Sequence, residues 1–260
     1  MTFARIKLIG IAAALAISSF VAASSVSAED ATVRIATEGT YAPWSFVDAS
    51  GQLTGWDVDI ANALCEHMQV KCTIQAQEWD GIIPGLNAKK YDMIVASMGV
   101  TEARKKQVAF TKKYKNTSSQ FAAKKGTITD TSPEALAGKR IGVQRGSIQD
   151  SFLTQNYPNS EIVRYDKTTD VEMDLLSGRV DALLANRVTS MIGFLSKPEA
   201  SDFELVGKEY SGGLLGDGNA IAVRKDDMDL LAKIDVAIDA IVADGTYDKI
   251  TAKYFKFKLM

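Results

Sequence analysis

Histidine occurs once in 260 residues, at position 67, and cysteine only twice. That scarcity removes whole classes of function. A Ser-His-Asp triad would have to use His67, and no G-x-S-x-G elbow surrounds a serine. A zinc site needs a cluster of His and Cys ligands that this chain does not possess. The phosphate-cradling patterns G-x-x-x-x-G-K-[ST] and G-x-G-x-x-G are also missing. No cofactor or metal is implied. Charge of one sign is lacking too: 30 basic residues stand against 32 acidic ones. Neither nucleic acid nor an anionic membrane surface is therefore indicated as a partner.

Apolar runs are concentrated at the start. Arg5 and Lys7 precede an apolar stretch from Leu8 to about Ala23, which ends in small residues, "SVSA". This is the layout of a signal peptide cut after Ala28, with a retained membrane anchor as the alternative. Export to the periplasm follows, with 29–260 as the mature chain. In an exported protein the close pair Cys65 and Cys72, in "LCEHMQVKC", reads as a disulfide. A metal or redox pair is the alternative, and the spacing is too long for C-x-x-C.

Past residue 29, strand and helix patterns alternate. "TVRIAT" (32–37) has the β-branched content of a strand. "DVDIANALCEHM" (57–68) puts Ile60, Leu64 and Met68 on one helical face, with Asp57 and Asp59 in its first turn. "CTIQAQ" (72–77), a short helix over 81–90 and "DMIVAS" (92–97) follow. The pattern restarts with strands over 139–144, 161–166 and 180–186 and helices over 147–156 and 170–178. Such alternation implies parallel sheets with helices on both faces. "LNAKKYDMIVAS" and "LLSGRVDALLAN" share a layout, which supports two related lobes and places Ser97 and Asn186 at carboxyl edges of strands. Open α/β sheets bind ligands at that edge. The polar stretch 112–119 and the glycine-rich stretch 210–220 are expected to be two crossings between lobes. Lobe one would then comprise 29–116 and 213–260, and lobe two 117–212. A body so joined closes around a ligand by hinge motion.

"YDMIVASMGVTEARKK" (91–106) places an arginine at a strand-to-helix corner. The apolar run ends in Ser97, Met98 and Gly99, Thr101 is the expected cap, and Arg104 falls in the first turn. A guanidinium there suits a carboxylate, which it grips with two parallel hydrogen bonds, and the free amides of a helix start favour the same anion. A surface arginine paired with Glu102 is the plainer alternative.

"GWDVDIANALC", "YAPWSF", "WDGIIPGL", "GVQRGS", "GRVDALLAN" and "DGTYDKITAKYF" together resemble periplasmic solute-binding proteins of the polar amino acid class. These are the receptors of ABC importers, such as the lysine/arginine/ornithine and histidine binders. The resemblance covers essentially all of 29–260, with Trp56 where Phe or Tyr is usual. It implies an α/β, two-lobed periplasmic-binding-protein fold, with two mostly parallel sheets flanked by helices and joined by two hinge crossings. It further implies a monomer, an inner-membrane permease as partner and no catalysis.

The resemblance also implies a site. Arg104 would hold the ligand's α-carboxylate, helped by Gly146, Ser147 and the amide of Ile148 from lobe two. Tyr41 and Trp79 would sandwich the ligand's side chain, and Glu38 would pair with a distal positive charge. Ala96, Ser97, Met98, Gln144 and Gln149 complete the set. Two positions depart from the family's pattern. Asn186 stands where an aspartate neutralises the α-ammonium, and Gly99 stands where a serine is common. With "WDGIIP" and "ASMG", these departures look like the opine-binding branch, whose ligands octopine and nopaline carry a substituted α-nitrogen and an extra carboxylate. Arg145, in the glycine loop, would meet that second carboxylate. The expectation is thus an arginine-derived opine or a basic amino acid. A plain arginine, ornithine, lysine or histidine binder is the alternative. A cyclohexadienyl dehydratase-like enzyme on the same fold, with Glu38 as proton donor, is the alternative from another class.

Overall fold

The computed structural model describes residues 1–2 and 32–260. From residue 3 onward, the expected signal segment 1–28 lies outside the described residues. Among the described residues no helix is long and apolar enough to cross a membrane.

The first element among the described residues is β1 (Val33–Thr37), followed by a small antiparallel layer of β2 (Thr40–Tyr41), β3 (Ser45–Val47) and β4 (Leu53–Thr54). There follow α1 (Trp56–Met68), β5 (Cys72–Ala76), α2 (Ile82–Asn87), β6 (Met93–Ile94), α3 (Glu102–Lys105) and β7 (Ala109–Lys115). A second body contains β8 (Ser119–Lys124), β9 (Arg140–Gln144), α4 (Ile148–Asn156), β10 (Glu161–Tyr165), α5 (Thr168–Leu176), β11 (Ala182–Asn186), a π-helix (Thr189–Phe194) and β12 (Phe203–Tyr210). The chain then returns to the first body with β13 (Asn219–Val223), α6 (Met228–Ala243) and α7 (Thr246–Tyr254).

The two five-stranded sheets have matching layouts, β5-β1-β6-β13-β7 and β10-β9-β11-β8-β12. In each, three neighbouring strands pair parallel, and one reversed strand, β13 or β8, separates them from the edge strand. The reversed strand is in both cases the one by which the chain arrives from the other body. The crossings are shorter than the polar pattern suggested. Lys112 to Lys115 belong to β7, so only 116–118 connects the sheets there. Tyr114 and Lys115 point into the interior, which a tally of polar residues does not show.

The first core is built as the apolar spacing indicates. Ile60 and Leu64 of α1 are fully buried against Met93, Val95, Ile221 and the C-terminal helices. Leu64→Ala would cost about 2–5 kcal/mol, the range for removing buried methyl groups from a core that cannot collapse. Trp56 is fully buried, and its indole donates to Thr251 Oγ1 at 3.1 Å. The larger ring is therefore accommodated by α7. Gly55 starts this helix with φ 126°, where a Cβ would sit 2.4 Å from the Trp44 carbonyl oxygen. The disulfide Cys65–Cys72 ties the end of α1 to the start of β5.

Candidate functional site

Ser97 marks the floor of the site. It follows the buried β6 run and carries φ 50°, a left-handed conformation costly for a side chain with a Cβ. Four partners hold it there. Its amide donates to the Tyr114 hydroxyl (3.1 Å), and its carbonyl accepts from Asn219 Nδ2 (2.6 Å). Its hydroxyl donates to Asp57 Oδ2 (2.6 Å) and accepts from Lys115 Nζ. Lys115 is fully buried, its ammonium 2.9 Å from the centre of the Trp44 ring and 5.0 Å from that of Trp56. Burial pushes its pKa down to about 7, against the attraction of Asp57.

Arg104 sits above this floor on α3, whose cap Thr101 accepts from the Arg104 amide at 3.2 Å. The guanidinium is buried, not paired with Glu102, which instead meets Lys105. Nη1 donates to the Gly99 carbonyl (3.0 Å) and Nη2 to that of Gly146 (3.3 Å). Its centre lies 5.0 Å from the Trp79 ring, whose indole also donates to the Gly146 carbonyl at 3.2 Å. Burial lowers the arginine to about 10, which leaves it charged at neutral pH.

Glu38, just past β1, is only 6% exposed. Its Oε1 accepts from Gln144 Nε2 at 2.6 Å and from Thr40 Oγ1 at 3.2 Å. Burial nevertheless pushes its carboxyl up to about 7. From the second body, α4 points its first turn at the same space, capped by Ser147, whose hydroxyl accepts from the Asp150 amide (3.0 Å). The amides of Ile148 and Gln149 precede the first intrahelical bond and are left for an anion.

These groups line one cleft between the bodies, with about 490 Å³ of unfilled space, part of it open to solvent. Glu38, Tyr41, Trp79, Ala96, Ser97, Gly99, Arg104, Gln144, Ser147, Ile148, Gln149 and Asn186 all line it. Met98 and Gly146 do not. They face a wider groove outside Trp79 and Arg104, and Gly146 reaches the arginine only through its carbonyl. Arg145 turns away to pair with Asp166 (3.2 Å) and contributes nothing to the cleft. Five lining residues were missed by sequence reasoning: Thr117, Ser119, Leu215, Gly218 and Asn219. All lie on or beside the crossings, and Thr117 Oγ1 donates to Asn219 Oδ1 at 2.9 Å, joining one crossing to the other. Their signal was the crossings themselves, since a hinge borders the cleft it closes.

Asn186 ends β11, and its Oδ1 accepts from the amides of Val188 (2.9 Å) and Thr189 (3.3 Å). What it has left for the cleft is its amide donor. Gly99 leaves less room than its missing side chain suggests. A Cβ there would meet Ile148 Cδ1 at 3.0 Å and Arg104 Nη1 at 3.6 Å. Among the described residues no group of three or more His, Cys, Asp or Glu is arranged to hold a metal.

The chain is similar to known proteins over most of its length. The chain is 42% identical over 233 residues to an L-arginine-binding protein of Pseudomonas aeruginosa, covering 88% of this chain and 90% of that one. It is 35% identical to the octopine-binding periplasmic protein of Rhizobium meliloti, covering 91% and 94%. A solved ancestral arginine-binding protein bound to arginine superposes with a TM-score of 0.81 at 35% identity, over 86% of this chain and 98% of that one. Residues 33–257 match the model of one family throughout, and the chain belongs to the bacterial extracellular solute-binding proteins, family 3.

Proposed function

We propose that this protein is the periplasmic receptor of an ABC importer and binds a basic amino acid, arginine or a chemical relative, between its two lobes. The observation that carries this reading is the pairing of a buried Arg104 with a buried Glu38 in one cleft. A buried guanidinium suits a carboxylate, and a buried carboxylate suits a cation. A ligand carrying both charges satisfies both groups. Tyr41 and Trp79 supply ring faces for the chain between them. An export signal over 1–28 and an inner-membrane permease partner belong to the same reading, and relatives named for binding support a receptor without catalysis. Calorimetric titration with arginine, agmatine and citrulline tests it. Agmatine lacks the carboxylate and citrulline lacks the charge, so each should bind at least about tenfold, or 1.4 kcal/mol, more weakly than arginine. Equal affinity for all three would refute the assignment.

A second reading is supported by Asn186. With Oδ1 committed to two backbone amides, its remaining group is a donor, which favours a second carboxylate over a primary ammonium. An opine built on arginine carries such a carboxylate. The plain amino acid, the alternative in the sequence reading, takes the lead over the opine expected there, because Gly99 does not leave an open channel for a nitrogen substituent unless Ile148 moves.

A further inference from the structure

The lobes also meet behind the cleft, at the π-helix Thr189–Phe194, an element that is rare and frequently found at functional sites. It starts three residues after Asn186, whose Oδ1 accepts from the amides of Val188 and Thr189. Its Phe194 stays in the core of the second lobe, while Ile192 and the preceding Val188 reach across to the core of the first. Val188 is 6% exposed within that core, and Ile192 packs against it. Thr189 Oγ1 accepts from the indole of Trp44, a fully buried first-lobe residue, at 2.9 Å. Gly193 leaves no room for a side chain against the first lobe. A Cβ there would lie 2.5 Å from the Ala42 carbonyl oxygen and 3.3 Å from its carbon. These are backbone atoms of the first lobe, so they cannot swing aside as a side-chain tip would. The backbone of Gly193 is not in the left-handed region, so its own helix accepts alanine.

We infer that this π-helix is the rear closing face of the second lobe, and that Gly193, which does not line the cleft, is a positioning residue for ligand retention. Its missing side chain allows the lobes to shut behind the ligand. The inference rests on the reading of the cleft as an amino acid site. A methyl at 193 would act as a wedge. It would hold the lobes apart by about an ångström at this point, because close carbon–oxygen contacts lie at about 3.3–3.6 Å. Encounter with the open form is untouched, while every closed-state contact between ligand and second lobe is weakened. The change should therefore fall on dissociation, where most affinity differences between related complexes reside.

The test is stopped-flow binding and chase with arginine, on wild type, Gly193→Ala and Ile192→Ala. Ile192→Ala removes the plug without adding a wedge, and serves if the first variant does not fold. Gly193→Ala should raise the dissociation rate about tenfold or more, with the association rate within about twofold and the ligand-free melting temperature unchanged. Ile192→Ala should raise dissociation in the same direction by a smaller factor. Wild-type dissociation in both variants, beside tight wild-type binding, overturns this inference and leaves the functional reading standing. If wild type binds none of arginine, lysine, ornithine, histidine or octopine, the functional reading fails and this inference falls with it.

Discussion

Lowering the pH from about 8 to about 5.5 should weaken arginine binding roughly thirtyfold through Glu38 alone. Burial holds this carboxyl up at about 7, in spite of the hydrogen bonds from Gln144 and Thr40. Proton and guanidinium then compete for one carboxylate. Each pH unit below 7 costs up to about 1.36 kcal/mol of binding, and 1.5 units give the thirtyfold. The signs can be separated. A carboxyl whose folded pKa is raised contributes stability that is full below its ordinary pKa of about 4.3 and is lost as pH rises through about 7. A bound cation reverses that preference, so binding must expel a proton below pH 7. Lys115 is held down to about 7 by burial. Its contribution to stability is present above its ordinary value of about 10.4 and lost as pH falls through 7, so melting curves alone would mix the two groups. Calorimetry in two buffers of different ionisation enthalpy avoids this by counting protons. About one should be released per arginine near pH 6 and about none near pH 8, and Glu38→Gln should abolish the difference while weakening binding. If wild type and Glu38→Gln share one pH slope, Glu38 does not face the ligand's cation.

Arg104→Ala should cost about 2–5 kcal/mol of binding with the fold intact, since it leaves the ligand's carboxylate buried without its partner, and near-native affinity by calorimetry would refute the role. Denatured, unreduced protein should show no titratable thiol, and Cys65→Ser with Cys72→Ser should lower stability by about 2–4 kcal/mol in denaturant melts without altering ligand preference. Gly99→Ser with Asn186→Asp should shift preference toward arginine and away from octopine by at least about 1.4 kcal/mol, by exchanging a donor for a carboxylate beside the α-nitrogen. An unchanged ratio would make both positions neutral to selectivity.

The alternation of elements, the face of α1, the disulfide and the corner that carries Arg104 were all legible in the sequence. Each is a local pattern: a 3.6-residue stripe, a cysteine pair, a cap followed by a charge. What was hidden depends on contacts between distant segments. Lys115 reads as one more polar residue in "KKYKNTSS", yet it is buried between Trp44 and Trp56 above Asp57, and only the packing of β7 against α1 shows this. Asn219 reads as the end of a glycine-rich loop, yet it holds the carbonyl of Ser97. Arg145 sits one residue from Gly146 and has the right charge, but the turn of the strand sends it to Asp166. The family pattern pointed to Asn186 as a departure, while which of its two amide atoms faces the ligand was set by the amides of Val188 and Thr189.

The most direct test of the central claim is a thermal-shift screen of the protein against arginine, lysine, ornithine, histidine, octopine and nopaline. A ligand that binds only the folded, closed cleft stabilises it by about 4 kcal/mol at roughly 1,000 times its dissociation constant. For a chain of this size that is on the order of 8–16 °C in Tm. The expected result is a shift of that size with arginine or one of its relatives, and none with glutamate or leucine. Melting curves left unmoved by all six compounds at millimolar concentration would contradict a cleft built for a cationic amino acid.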